Sequence, residues 1–463
     1  MAAEVASAPV RARVAVLGAG PAGLAAAWRA ASAGHEVVVL DRAPVVGGMA
    51  GSFTVAGVRV DHGSHRLHPS IDPGILAALD DLLGPGGLQR RERRGRIRLA
   101  GRWVAFPLRA GDLVRHLPPR FAAGALAAPL RRGDDGSFAG VVRSRFGAAV
   151  ADEFYGPYAR KLWGRDAGEL SADLARRRVS AGSATALAAR VLRARRPEGR
   201  RFLYPAGGFG AIAEALAGAA TAAGADVRLG AEVRSIRLGD AEAAVATADG
   251  GEVTADLVWS TLPLGALPRL VADPPPPPLP TVEVRGLALV YLVVDRPRWT
   301  PFDAHYFPGA DVALSRLSEP RNYRDSPADP PDRTVLCAEV PCSVGDGTWS
   351  AGDGDLADRV LRDLAGQDLP PVRPVAVEVR RLPSVYPVAT PDALWAVAAL
   401  DAWANAHPRL VTLGRQGLVV GDNTHHVLAM GWAAAACLLP DGTYDRRAWA
   451  EARRRFRGHV VED

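Results

Sequence analysis

Residues 13–42, RVAVLGAGPAGLAAAWRAASAGHEVVVLDR, read as a complete βαβ unit. A short β-branched run is followed by a glycine-rich turn, an alanine-rich helical stretch and a second apolar run. Gly18-Ala19-Gly20-Pro21-Ala22-Gly23 matches G-x-G-x-x-G and sits between strand and helix, where a dinucleotide fingerprint requires it. Gly18 permits the tight turn, Gly20 lets the backbone approach a pyrophosphate, and Gly23 lets the helix pack close to the sheet. The helix N-terminus offers free N–H donors and a partial positive charge to that anion. Asp41 ends the second run 18 positions after Gly23, the place of a carboxylate that hydrogen-bonds an adenosine ribose and repels a 2′-phosphate. The fingerprint alone does not separate FAD from NAD.

The 463-residue chain is long enough for about three units at roughly 150 residues each, or for one large fold with a second lobe. With 48% hydrophobic residues, disorder, collagen and disulfide scaffolds are excluded. The net charge is +6 and Lys161 is the sole lysine, so the positive charge is nearly all arginine. Arginine favours bidentate contacts to phosphates and carboxylates, although composition bias accounts for much of the excess. Both signs are interspersed at 23% charged residues, which disfavours a nucleic-acid partner. Cys337, Cys342 and Cys437 form an odd set without metal spacing, so a reducing compartment and no metal site are expected. Residues 1–13 lack the basic and apolar regions of a secretory leader. The apolar stretch 427–439 is too short for a bilayer span and fits a buried helix. A cytoplasmic protein with no integral membrane segment is expected, its oligomeric state open.

Residues 71–200 read as helical and Arg-rich, broken by Pro107, Pro118, Pro119 and Pro129. Residues 204–263 return to α/β character. Gly207-Gly208 leads into a helix near 212–222, strands follow near Val227, Val233 and Val258, and Asp249-Gly250-Gly251 marks a hairpin. The proline-rich 273–280 is a stiff surface connector. Residues 284–294 and 375–381 read as strands of a second sheet, and the C-terminal part returns to strand, glycine-rich turn and helix.

Beyond Asp41-Arg42, the run Val46-Gly47-Gly48-Met49-Ala50-Gly51-Ser52-Phe53 precedes Val60-Asp61-His62-Gly63-Ser64-His65-Arg66. With these blocks the sequence resembles the FAD-dependent amine oxidase and protoporphyrinogen oxidase superfamily, in the branch close to UDP-galactopyranose mutase. The resemblance places Arg42, Gly47, Gly48 and Met49 along the cofactor near its pyrophosphate, and Gly63, Ser64 and His65 beside the isoalloxazine. Tyr204-Pro205-Ala206-Gly207-Gly208 and Gly230-Ala231-Glu232-Val233 look like the family's central segment, where Val233 touches adenine through its backbone. Leu413-Gly414-Arg415-Gln416-Gly417, Gly421-Asp422-Asn423 and Met430-Gly431 look like its C-terminal flavin-closing motif. The chain departs from the family in Asp41, more often Glu, and in Met49, usually Arg in amine oxidases.

The resemblance implies an α/β fold: a discontinuous Rossmann-like FAD-binding domain with an inserted α+β substrate domain and a helical lobe. Its parts are expected at 12–70, 204–272 and 401–445, with the mostly helical lobe at 71–203 and the substrate-domain sheet at 281–400. FAD is the implied cofactor. It is held non-covalently, since 413–430 lacks cysteine, with a histidine linkage left open. The implied activity is an FAD-dependent oxidoreductase that removes hydride from a C–N, C–C or C–O carbon of a small molecule, an anionic one being an option. The alternative is a redox-neutral sugar mutase. His65 is the candidate proton acceptor and Arg415 the candidate clamp on the cofactor or a substrate anion. His62, His65 and His68 read as a flavin-lining loop or as locally bonded side chains. His425 and His426 border the active site or cap the following helix, while Tyr155, Tyr158 and Trp163 read as packing. Arg90, Arg91, Arg93 and Arg94 read as a solvated face.

Overall fold

A computed structural model describes residues 11–461 apart from 109, 117–118, 122–134, 180–200, 272–274 and 277. Pro118, Pro129, the last part of the expected helical lobe and part of the proline-rich connector lie outside the described residues, as do residues 1–10.

A five-stranded parallel sheet gathers three distant parts of the chain. It contains β1 (Arg13–Leu17), β2 (Glu36–Asp41), β9 (Asp226–Leu229), β13 (Leu257–Ser260) and β19 (Leu410–Thr412), in the order β19-β13-β1-β2-β9. Alternate residues of β1 and β2 serve two cores. Val14, Val16, Val37 and Val39 join one, and Ala15, Leu17 and Leu40 join the other. A strand buried on both faces must be apolar throughout, hence the unbroken valine runs. α1 (Pro21–Ser32) packs on this sheet against α7 (Ala211–Ala222) and α10 (Thr424–Ala436). A Cβ on Gly431 would fall 2.5 Å from the Ala22 carbonyl oxygen, so glycine there allows α10 to approach α1.

The second sheet has seven strands: β18 (Ala376–Pro387), β14 (Val284–Val294), β17 (Thr334–Cys342), β16 (Arg316–Ser318), β15 (Ala304–Tyr306), β6 (Gly95–Leu99) and β7 (Arg102–Phe106). Only the β15–β6 pair is parallel. β3 (Ser52–Val55) and β4 (Val58–Asp61) form one hairpin, β5 (Leu88–Glu92) and β8 (Arg201–Pro205) pair, and β10 (Val233–Leu238), β11 (Ala243–Thr247) and β12 (Glu252–Ala255) form a meander with its turn at Gly250. Among the described residues, the remaining helices of seven residues or more are α2 (Pro73–Leu83), α3 (Ala110–His116), α4 (Phe138–Phe146), α5 (Gly156–Trp163), α6 (Ala172–Arg178), α8 (Asp353–Ala365), α9 (Pro391–Ala406) and α11 (Arg446–Phe456).

The helical reading of 71–200 needs correction at its start, because β5, β6 and β7 occupy this stretch and the last two extend the large sheet. Arg96-Ile97-Arg98-Leu99 alternates with period two, but the arginines mimic a solvated face. In the fold the Arg96 guanidinium lies between Trp103 and Phe302, at 4.4 and 4.3 Å from their ring centres.

Asp61 ties the layers together. Its buried carboxylate accepts the Ser52 hydroxyl at 2.6 Å, the Phe209 N–H at 3.0 Å and the Tyr204 hydroxyl, while its carbonyl accepts the Tyr291 hydroxyl of β14 at 2.6 Å.

Candidate active site

The glycine loop opens at the carboxyl edge of the parallel sheet. Gly18 has φ +107°, and a Cβ there would stand 2.1 Å from the Thr261 hydroxyl. A Cβ on Gly23 would stand 2.1 Å from the Gly18 carbonyl oxygen. Gly20 differs, since a Cβ there meets nothing within 4 Å. Gly20 is the N-cap of α1, and no side chain caps the helix. The first turn of α1 thus begins beside open space. Asp41 accepts the Ala19 N–H at 2.7 Å and the Ala43 N–H at 2.8 Å, bracing the loop against the end of β2. Arg42 beyond it is exposed. The backbone of Gly230 and Ala231 bonds the carbonyls of Ala43 and Asp41, which sets Val233 at the start of β10 near the same strand end.

Gly47 and Gly48, at φ +113° and +53°, fold a second turn over the first. The Gly47 N–H donates to the Ala19 carbonyl, and a Cβ on Gly48 would lie 3.6 Å from Gly20 Cα. Met49 Sδ is 3.5 Å from Gln416 Nε2, so this turn touches the C-terminal motif. A Cβ on Gly414, φ +79°, would come 3.1 Å from Ala22. Met430 is fully buried in the core beneath α1.

Gly63, at φ +91°, and Ser64 face the large sheet. The Ser64 N–H donates to Glu339 Oε1 at 2.8 Å, and its hydroxyl bonds the Tyr323 hydroxyl. Arg316 grips Glu339 through Nε and Nη2 at 2.9 and 2.8 Å. Arg66 donates to the Tyr306 hydroxyl at 3.1 Å, pairs with buried Asp303 and lies between the rings of Phe202 and Tyr323. His65 stacks on Phe209 at 5.1 Å with its Nε2 3.1 Å from the His62 carbonyl oxygen. A carbonyl only accepts, so Nε2 carries the proton and Nδ1 holds the lone pair. Burial lowers the His65 pKa, with Asp61 opposing.

Arg415 reaches the carbonyls of Asp422 and Val385 at 3.1 and 3.2 Å, while its buried Nε has no partner among the described residues. Burial and then Arg178 lower its pKa to about 10. Gly421 lies beside Arg178, and Asp422 accepts from His459 Nδ1 at 2.7 Å. Asn423 and His426 form a capping box at the start of α10, which answers the open reading of His426. His425 is buried, and burial followed by His426 lowers its pKa to about 3. Ligand atoms of Asp422, His426 and His459 lie within 4.8 Å of one another. The two imidazoles, however, stack at 4.0 Å and 14°, so their in-plane lone pairs run side by side and do not converge on one ion.

Gly18–Gly23, Asp41, Gly47–Met49, Gly414 and Arg415 therefore meet along one face, with Gly421–Asn423 joined to it through Arg415. Gly63–His65 is held from the opposite sheet. Trp163 is buried against Phe138, in keeping with its packing role. Sequence reading missed Arg66, Tyr306, Arg316, Tyr323 and Glu339. Glu339 left a usable signal, as the one charged residue in the apolar run Thr334–Cys342, all of it buried.

Residues 21–439 match the family model of flavin containing amine oxidoreductases. The fold is similar to that of reduced UDP-galactopyranose mutase, with a TM-score of 0.78, 20% identity and coverage of 98% of each chain. It is also similar to putrescine oxidase bound to putrescine, with a TM-score of 0.63, 20% identity and coverage of 92% of this chain and 98% of that one. A D-amino acid dehydrogenase of Dechloromonas aromatica (strain RCB) is 41% identical over 64 residues, a match spanning 14% of this chain and 15% of that relative. No helix among the described residues is long and apolar enough to cross a membrane.

Proposed function

Because the chain belongs to the flavin-containing amine oxidoreductase family and is an FAD-dependent oxidoreductase, we propose that it oxidises a small molecule in the crevice between the parallel sheet and the seven-stranded sheet. The observation that carries this reading is the meeting of the N-terminal glycine turns with the C-terminal motif, seen in the Gly414–Ala22 and Met49–Gln416 contacts. The residues fit FAD. Gly20 leaves a cradle that a Cβ would enter, the α1 N-terminus is uncapped, and the unpartnered Arg415 Nε lies where the flavin-closing motif is expected. Gly18–Gly23, Gly47 and Gly48 would hold its pyrophosphate, Asp41 its ribose, and the Val233 backbone its adenine. Gly63–His65, Arg415 and Gly421–Asn423 would border its ring, with Arg42 and Met49 completing the surround, whereas Met430, expected beside the cofactor, is packed in the core beneath α1 and has no surface to offer it.

When bound, FAD supplies the acceptor for a hydride leaving a C–N, C–C or C–O carbon. The protein's part is placement. Glu339 fixes the Gly63-Ser64 turn through the Ser64 N–H, and Arg316 fixes Glu339. His65, kept neutral by burial, presents Nδ1 as the base for a substrate proton. Arg415 would oppose negative charge at the crevice. The division into FAD-binding parts at 12–70, 204–272 and 401–445 belongs to the same reading.

A second reading is a redox-neutral mutase, favoured by the whole-chain similarity to reduced UDP-galactopyranose mutase. Anaerobic mixing with amines, amino acids, hydroxy compounds and nucleotide sugars separates the two. Oxidation bleaches the flavin in proportion to substrate consumed. Turnover only after prior chemical reduction, without net electron consumption, overturns the oxidase reading.

A further inference from the structure

Away from both glycine turns and the C-terminal motif, Arg298, Arg321, Arg324, Asp325, Ser326 and Asp329 line a cavity of about 320 Å³. Arg324 is 1% exposed. It donates through Nε to the Ala206 carbonyl at 2.9 Å and through Nη2 to Asp329 at 2.7 Å, and its Nη1 has no partner among the described residues. Arg321 donates to the carbonyls of Pro330 and Arg333 and so neutralises no carboxylate through these bonds. Asp325 is shared by Arg91 and Arg298. Three guanidiniums thus line the cavity with two carboxylates, Asp325 and Asp329, while Arg91 reaches Asp325 from outside the lining. A surface built for ion pairing alone would balance its charges. This one keeps an excess of one positive charge in its lining, together with a buried N–H donor on Arg324 that costs free energy while unbonded.

We propose that this cavity binds the phosphate group of a small molecule. An oxyanion matches the sign of the charge excess, and guanidinium forks match its geometry. The neighbouring Tyr323 hydroxyl bonds Ser64, so the site stands one residue from the Gly63–His65 turn.

Isothermal titration of the FAD-loaded protein with inorganic phosphate, against chloride at matched ionic strength, tests this. The expected result is one saturable site per chain. Arg298→Gln and Arg321→Lys should each weaken it roughly tenfold, whereas Arg447→Gln, the same loss of charge at a remote exposed position, should not. An unchanged flavin spectrum and unchanged melting without phosphate show that each variant folds. Absence of a saturable site, or equal binding in all variants, overturns the proposal. Glycerol 3-phosphate competing with phosphate would identify a soluble ligand. Sedimentation with phosphatidate vesicles, lost in Arg298→Gln, would instead place the phosphate on a lipid headgroup.

Discussion

Gly20 and Gly23 lie three positions apart in the same motif, yet their surroundings separate a binding role from a packing role. A Cβ on Gly23 collides with the Gly18 carbonyl oxygen, which lies in the turn itself. Gly23→Ala is therefore expected to cost about 2–3 kcal/mol of stability, read from the denaturant midpoint of apoprotein. Gly20→Ala meets no protein atom, so the apoprotein should melt as wild type while FAD binding weakens by about tenfold or more. Equal FAD affinity in the two proteins would refute the cradle. His305 carries a pH prediction. Burial, then Arg96, lowers its pKa to about 3, against 6.5 in the unfolded chain. The unfolded state thus binds the extra proton between these values, and stability falls as pH drops below 6.5. Its share is roughly 2 kcal/mol lost by pH 5. His305→Phe should flatten that part of the stability profile, and an unaltered slope would contradict the assignment. The glycine roles were legible in the sequence, but the His305 effect was not, because His305 belongs to an aromatic box with Trp103, Trp299 and Phe302 that only the fold assembles.

Among elements, the hairpin β3–β4 is a joint more than a sheet. Asp61 at its end collects three donors on one carboxylate. An amide can accept on one side only and would turn N–H groups toward another donor. Asp61→Asn should lose about 3 kcal/mol, measured by denaturant unfolding. A change below about 0.5 kcal/mol would show that the network is dispensable. The α10 cap is a smaller case: Asn423→Ala should cost about 1 kcal/mol, read as a lower melting temperature. Elements with an unbroken run of β-branched and other apolar residues were readable from sequence, as β14 shows at Val284–Val294. β6 was hidden because Arg96 and Arg98 stand in its alternation, and an arginine lying over an aromatic ring looks like a solvated residue until the ring is placed.

Across the whole molecule, strands from residues 13–41, 226–260 and 410–412 form one sheet, so the N-terminal fingerprint lacks its neighbours until the distant strands arrive. The glycine turns, Asp41 and the C-terminal motif were legible because backbone geometry leaves glycine signatures at fixed spacings. The opposite wall was not. Glu339, Arg316, Arg66 and Tyr323 are drawn together by the pairing of β16 with β17 and by the turn before Arg324, and no local spacing encodes that meeting. The most direct measurement is equilibrium titration of FAD into folded apoprotein, followed by visible absorbance in wild type and Gly20→Ala. The account predicts one FAD per chain, a yellow product, and markedly weaker uptake by the variant. A folded wild-type chain that stays colourless at saturating FAD would contradict it.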